Sequence, residues 1–112
     1  DQKIRKINKS IKNIGFENTA NIYSMSNTSN KGGLIGWINE LQISNVIGKE
    51  VKKLKVNEIS KAIKLQNGYI LIKLNDKKEF NVIISLNENE FHFEELNYFT
   101  LFSVNALIFI FP

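Results

Sequence analysis

Residues 59–74 read Ile-Ser-Lys-Ala-Ile-Lys-Leu-Gln-Asn-Gly-Tyr-Ile-Leu-Ile-Lys-Leu. Two apolar runs, 59–65 and 69–74, flank Gln66-Asn67-Gly68, and Asn-Gly between such runs is the strongest short-range signal for a β-hairpin. Antiparallel strands are therefore expected in the second half of the chain. Downstream, Asn75-Asp76-Lys77-Lys78 reads as a second hairpin-like turn leading into a β-rich stretch at 80–86. Upstream, residues 44–56 carry Val46, Ile47, Val51, Leu54 and Val56 at helical spacing, with lysines on the outer face. Residues 2–14 place Ile4, Ile7, Ile11 and Ile14 in one stripe on an otherwise basic helix. Gly15 is a plausible stop for it, and Phe16, Ala20 and Tyr23 share one face of a second, short helix. Helices first and strands later give an α+β domain.

At 112 residues the chain has room for one small domain. Eight Phe, three Tyr and one Trp are enough for a compact core. The absence of Cys excludes disulfides, a thiol nucleophile and a Cys-ligated zinc site. The lone His92 cannot build a multi-histidine metal site, and neither metal nor cofactor is expected. Asn, Ile and Lys fill 47 positions, all residues with A/T-rich codons, so the net charge of +4 first reflects composition. A basic nucleic-acid-binding domain is the least favoured reading, because no basic-aromatic interleaving accompanies the lysines. The charge is unevenly spread. Residues 1–78 hold 15 basic and six acidic residues, while 79–112 hold five acidic and no basic ones.

Residues 24–33 form a polar loop by composition. Gly32, Gly33 and Gly36 follow neither a Walker pattern nor a dinucleotide fingerprint. They suit a tight turn and close packing, so Gly33, Gly36, Trp37 and Gly68 are assigned structural roles. Residues 96–111 carry no charge, yet are shorter than the roughly 20 apolar residues that span a bilayer. A buried strand or helix is preferred for them. Membrane contact of 96–111 and an artefactual tail are the open alternatives. Neither terminus looks native: the chain starts at Asp1, without an initiating Met or a signal peptide, and both ends read as those of a fragment.

Four stretches in order carry a resemblance. They are Gly15-Phe16 through Ala20 to Tyr23-Ser24; Gly32-Gly33-Leu34-Ile35-Gly36-Trp37; Leu54-Lys55-Val56-Asn57-Glu58-Ile59-Ser60; and Gln66-Asn67-Gly68-Tyr69-Ile70-Leu71-Ile72-Lys73-Leu74. In these the chain resembles the parvulin family of peptidyl-prolyl cis-trans isomerase domains, most of all the copies in SurA-type periplasmic chaperones. The resemblance implies a parvulin-like (FKBP-like) antiparallel sheet with three to four helices, incomplete at the N-terminus. On this basis 1–78 is a parvulin-like domain lacking its first strand, an interior one. Residues 79–112 are a C-terminal extension with an acidic stretch and an apolar tail. The open place in the sheet is expected to be taken by 98–111 or 80–86.

The family's chemistry is rotation about X-Pro bonds, against a barrier of roughly 18–20 kcal/mol. An apolar pocket that strips water from the prolyl bond favours its less dipolar, twisted form. The resemblance places that pocket on Ile35, Ile43 and Ile47. Asn67 and Ile70 complete the substrate-binding set, and Ser26 falls where active relatives carry Cys or Asp. Ile70 stands where relatives have one of two paired histidines, and the other belongs to the missing strand. The expected function is an isomerase-like domain of a periplasmic chaperone for outer-membrane proteins. It would bind unfolded, proline- or aromatic-containing polypeptides with weak or no isomerase activity. An active parvulin is the alternative.

Overall fold

The computed structural model describes residues 2–88 and 91–110. Among the described residues, three α-helices pack with a four-stranded antiparallel sheet, as the α+β reading expects, although the first strand comes before the third helix. Helix α1 (Gln2–Ile14) buries Ile7 completely, and Ile4 and Ile11 pack beside it. Gly15, at φ 90°, breaks the helix, and α2 (Phe16–Tyr23) starts at once. Thr19 fastens the joint, donating its hydroxyl to the Gly15 carbonyl at 2.7 Å. Strand β1 (Leu34–Asn39) follows, and α3 (Asn45–Lys52) begins at Ser44, whose Oγ accepts from the Ile47 amide. That arrangement occupies an amide otherwise orphaned at a helix start.

The predicted hairpin forms between β2 (Ile63–Lys64) and β3 (Gly68–Glu88). Regular pairing of 59–65 is shorter than the apolar run suggested, because the register along β3 shifts by one residue between Ile59–Lys73 and Ile63–Ile70. An isolated bridge joins Ile59 to Lys73, and the Ser60 amide donates to the Ile72 carbonyl at 2.8 Å. The helix expected over 44–56 ends at Lys52, and Asn57 adopts φ 73°, which turns the chain toward the sheet.

One expectation is corrected. Asn75-Asp76-Lys77-Lys78 makes no hairpin turn; β3 runs on to Glu88. A register shift between Leu74 and Asp76 absorbs the turn-prone residues as a bulge. Continuous pairing with β4 (Phe91–Ile110) overrides their local preference.

The sheet order is β1-β4-β3-β2, so β4 is interior. Of the two candidates for an interior place, it is the apolar run, at residues 101–110, that lies between β1 and β3. Leu101 to Asn105 pair with β1, and residues 103–110 pair with Gly68 to Asp76 on β3. Because strand side chains alternate in direction, β4 feeds two cores. Phe102, Val104 and Ala106 join Val51, Ile63, Ile70, Ile72 and Leu74. Leu107 and Phe109 join Ile7, Phe16, Ala20 and Leu71 on the other side, under α1 and α2. Beyond the body, β3 and β4 continue as a two-stranded ribbon to Glu88 and Phe91.

Candidate functional site

The Gly32-Gly33 turn positions β1 against β4. Gly33 has φ 81°, and a Cβ there would strike the Ala106 carbonyl oxygen. The Gly33 carbonyl accepts from the Ala106 amide at 2.8 Å. Gly32 is held on both sides: its amide donates to Asn21 Oδ1 at 2.7 Å and its carbonyl accepts from Asn105 Nδ2 at 2.8 Å. Lys73 donates to Glu17 at 2.6 Å beside this turn. That bond holds the Glu17 carboxyl below its ordinary value.

Of the residues assigned to substrate, Ile43 and Ile47 pack on the core that contains Ile70. Ile35 is 47% exposed on β1 and is not brought together with Ile43, Ile47 and Ile70. Ile70 is only 7% exposed, and its cross-strand partner is Ile108. Two isoleucines thus meet in the centre of the sheet, and Ile108 itself packs against the Ile70 cluster.

Ile108 also floors a recess of about 240 Å³, walled by Leu65, Gln66, Asn67, Gly68 and Phe109. Asn67 and Gly68 therefore enter the site through the hairpin turn, with Asn67 exposed at its mouth. The walls are mostly apolar and, among the described residues, carry two side-chain amides and no titratable group. Such a recess can take an apolar ring and offer amide hydrogen bonds to a peptide carbonyl; it has no means of moving a proton. Ile43 lines a second, smaller hollow of about 150 Å³ whose other walls include Glu40, Ser44, Lys49 and Lys52.

Ser26 lies in the loop that borders the same strand. Its hydroxyl sits 2.9 Å from Thr28 Oγ1 and 3.1 Å from Ser24 Oγ. Ser24 Oγ accepts from the Ile108 amide at 3.2 Å, and the Met25 amide donates to the Ile108 carbonyl at 2.7 Å. A chain of hydroxyls thus leads from Thr28 through Ser26 and Ser24 to the recess floor. Trp37 is 45% exposed, with Lys78 Nζ 4.7 Å from its ring centroid, so it packs under a lysine and not into the core. Gly36 takes φ 89° at the register shift of β1.

Sequence reasoning missed Ile108 and Ser24. The only signal for Ile108 was the uncharged character of residues 96–111, which carries no register. Ser24 closed the first stretch of the family resemblance, but no local pattern showed that its hydroxyl would reach the Ile108 amide.

Comparison with known proteins gives the family. Residues 1–76 match the rotamase family, described as the PPIC-type PPIase domain. The foldase protein PrsA of Bacillus subtilis is 38% identical over 64 residues, covering 56% of this chain and 22% of that protein. The chaperone SurA of Dechloromonas aromatica is 29% identical over 69 residues, 62% of this chain and 16% of its own. The periplasmic chaperone PpiD of Buchnera aphidicola is 34% identical over 73 residues, 61% of this chain and 12% of its own. The chain therefore spans less than a quarter of each of these relatives. With the glycine turn, hairpin and helices in the family's order, the chain belongs to the PPIC-type peptidyl-prolyl isomerase (parvulin) family.

Proposed function

We propose that this domain binds extended polypeptide containing proline or aromatic residues, as the isomerase-like module of a periplasmic chaperone, with weak or no turnover of its own. The observation that carries this reading is the apolar recess lined by Leu65, Ile108 and Phe109 beside the Asn67-Gly68 turn, with Ile70 behind it as the cross-strand partner of Ile108. The recess supplies desolvation, which lowers the barrier to amide rotation because the twisted bond is less dipolar. It supplies no charged or imidazole group to stabilise the developing lone pair on the prolyl nitrogen. Desolvation alone is a partial device, so binding outlasts catalysis. The proline ring would rest on Ile108 between Leu65 and Asn67, with Ile43 and Ile47 supporting the core on which Ile108 packs and Ile35 meeting the flanking chain. Ser26 would act through Ser24 in fixing the Ile108 backbone.

Residence in the periplasm belongs to the same proposal and is supported by the relative named a periplasmic chaperone. So does the domain plan, in which β4 stands in the interior place that the family resemblance gives to a first strand.

A prolyl-isomerisation assay run beside a peptide-binding titration tests the reading. The expected result is saturable binding of an Ala-Ala-Pro-Phe peptide with little acceleration of its isomerisation. Ile47→Asp should weaken binding about tenfold by placing a charge against the apolar core on which Ile108 packs. Turnover at the rate of an efficient enzyme would favour the alternative, an active parvulin. Unchanged binding in a folded Ile47→Asp protein would reject the pocket.

A further inference from the structure

The family match ends at residue 76, and there the ribbon begins. Pairing runs without interruption from Asp76–Ser103 to Glu88–Phe91. Thirteen residues of β3 at about 3.3 Å each make an arm of about 40 Å, which accounts for the 64 Å long axis of the molecule. β2 reaches only Tyr69 and Ile70 on β3, and β1 reaches no farther than Leu101 on β4. Among the described residues, then, both edges of the arm carry unpaired backbone amides and carbonyls. Free strand edges are usually blunted by proline, bulges or lysines. Residues 79–100 contain no Pro, Gly, Lys or Arg, and no register shift follows Asp76.

We propose that this ribbon is a strand-pairing arm that captures an extended polypeptide segment in which basic residues alternate with apolar ones. The partner class follows from the chemistry. A row of amides and carbonyls is satisfied along its length only by another backbone. Val82, Ile83, Ile84, Leu86, Phe91, Phe93 and Phe99 supply the β-prone, apolar composition. Beyond its base, where Lys77 pairs with Glu79 at 3.2 Å and Lys78 lies over Trp37, the arm carries Glu88, Glu94 and Glu95 and no Lys or Arg. Two copies of the arm would repel each other, so a second copy is disfavoured and a cationic strand is favoured. The arm lies outside the recess and acts independently of it.

The test uses the full chain and a labelled, proline-free peptide alternating lysine with valine. Its comparators are the same peptide with glutamate for lysine, and one N-methylated on alternate backbone nitrogens. The lysine peptide should bind about tenfold more tightly than the glutamate peptide, and N-methylation should abolish binding. The Glu94→Lys/Glu95→Lys protein should reverse the charge preference. An unlabelled proline peptide should not displace the lysine peptide, which separates this site from the recess. No binding, equal binding of the two charge forms, indifference to N-methylation, or displacement by the proline peptide would each overturn the proposal. So would an unchanged lysine preference in the double variant, or a dimer in sedimentation that the lysine peptide disrupts.

Discussion

Gly33 and Gly36 both hold positive φ, at 81° and 89°, but their surroundings differ. A methyl group on Gly36 meets nothing within 4 Å, whereas one on Gly33 meets the Ala106 backbone. Gly36→Ala therefore carries only the conformational penalty, about 1–2 kcal/mol. Gly33→Ala adds displacement of the central strand, for a total of about 3 kcal/mol or more. Urea denaturation of the two variants checks the order, and equal losses would mean that the Gly33–Ala106 approach is slack. A second residue-scale effect concerns pH. The hydrogen bond from Lys73 lowers the Glu17 pKa in the folded state below its ordinary 4.5. Its stabilisation is therefore complete above the unfolded value and is lost as pH falls through the folded one. Glu17 is 47% exposed, so solvent screens the pair and the effect is small. In Glu17→Gln, the fall in melting temperature between pH 5 and pH 3 should be shallower than in the parent. The glycines were legible as turn residues in the sequence. Their partners were not, because Ala106 lies far along the chain in a run whose register no local pattern specifies.

At the scale of elements, the register of β4 in the body of the sheet is tied to a buried polar side chain, Asn105. Asn105 is 4% exposed; it donates to the Gly32 carbonyl at 2.8 Å and accepts from Asn75 Nδ2 at 2.6 Å. A slip of one residue would exchange the two core faces and also strand these groups. Asn105→Leu should therefore destabilise by about 1–3 kcal/mol, leaving the Gly32 carbonyl and the Asn75 amide unsatisfied in a dry place. If apolar contacts alone set the register, the variant would be as stable as the parent, and thermal unfolding distinguishes the two. The helices α1 and α2 and the Asn67-Gly68 hairpin were readable because each depends on local periodicity or turn chemistry. Asn75–Lys78 misled because the same Asn and Asp that favour turns also suit a bulge, and only the partner strand chooses between them. The candidate site was readable in part for the same reason. Ile43, Ile47 and Asn67 sit on locally determined elements, while Ile108 arrives on β4.

For the whole molecule, the question is what β4 contributes to the existence of the fold. Phe102, Val104, Leu107 and Phe109 are each at most 1% exposed, and they supply both cores. At about 1.5–3 kcal/mol for each buried large side chain, their combined contribution rivals or exceeds the typical net stability of a domain, about 5–15 kcal/mol. Removing the strand would also leave facing edges of β1 and β3 without partners. A chain ending at Lys78 should thus lack a cooperative thermal transition, although it retains every residue of the family match. The experiment has a sharper second half. A synthetic peptide of residues 100–110 should restore the transition when added to the truncated chain, since the interior place accepts a strand held by Gly33, Asn75 and Ser24. The same peptide with Asn105 replaced by Leu should restore it less well, because the polar groups that set its register go unpaired. Cooperative unfolding of the truncated chain on its own would show that the body closes without β4. The recess would then lose its floor while the domain survived, and the peptide site would have to be sought elsewhere.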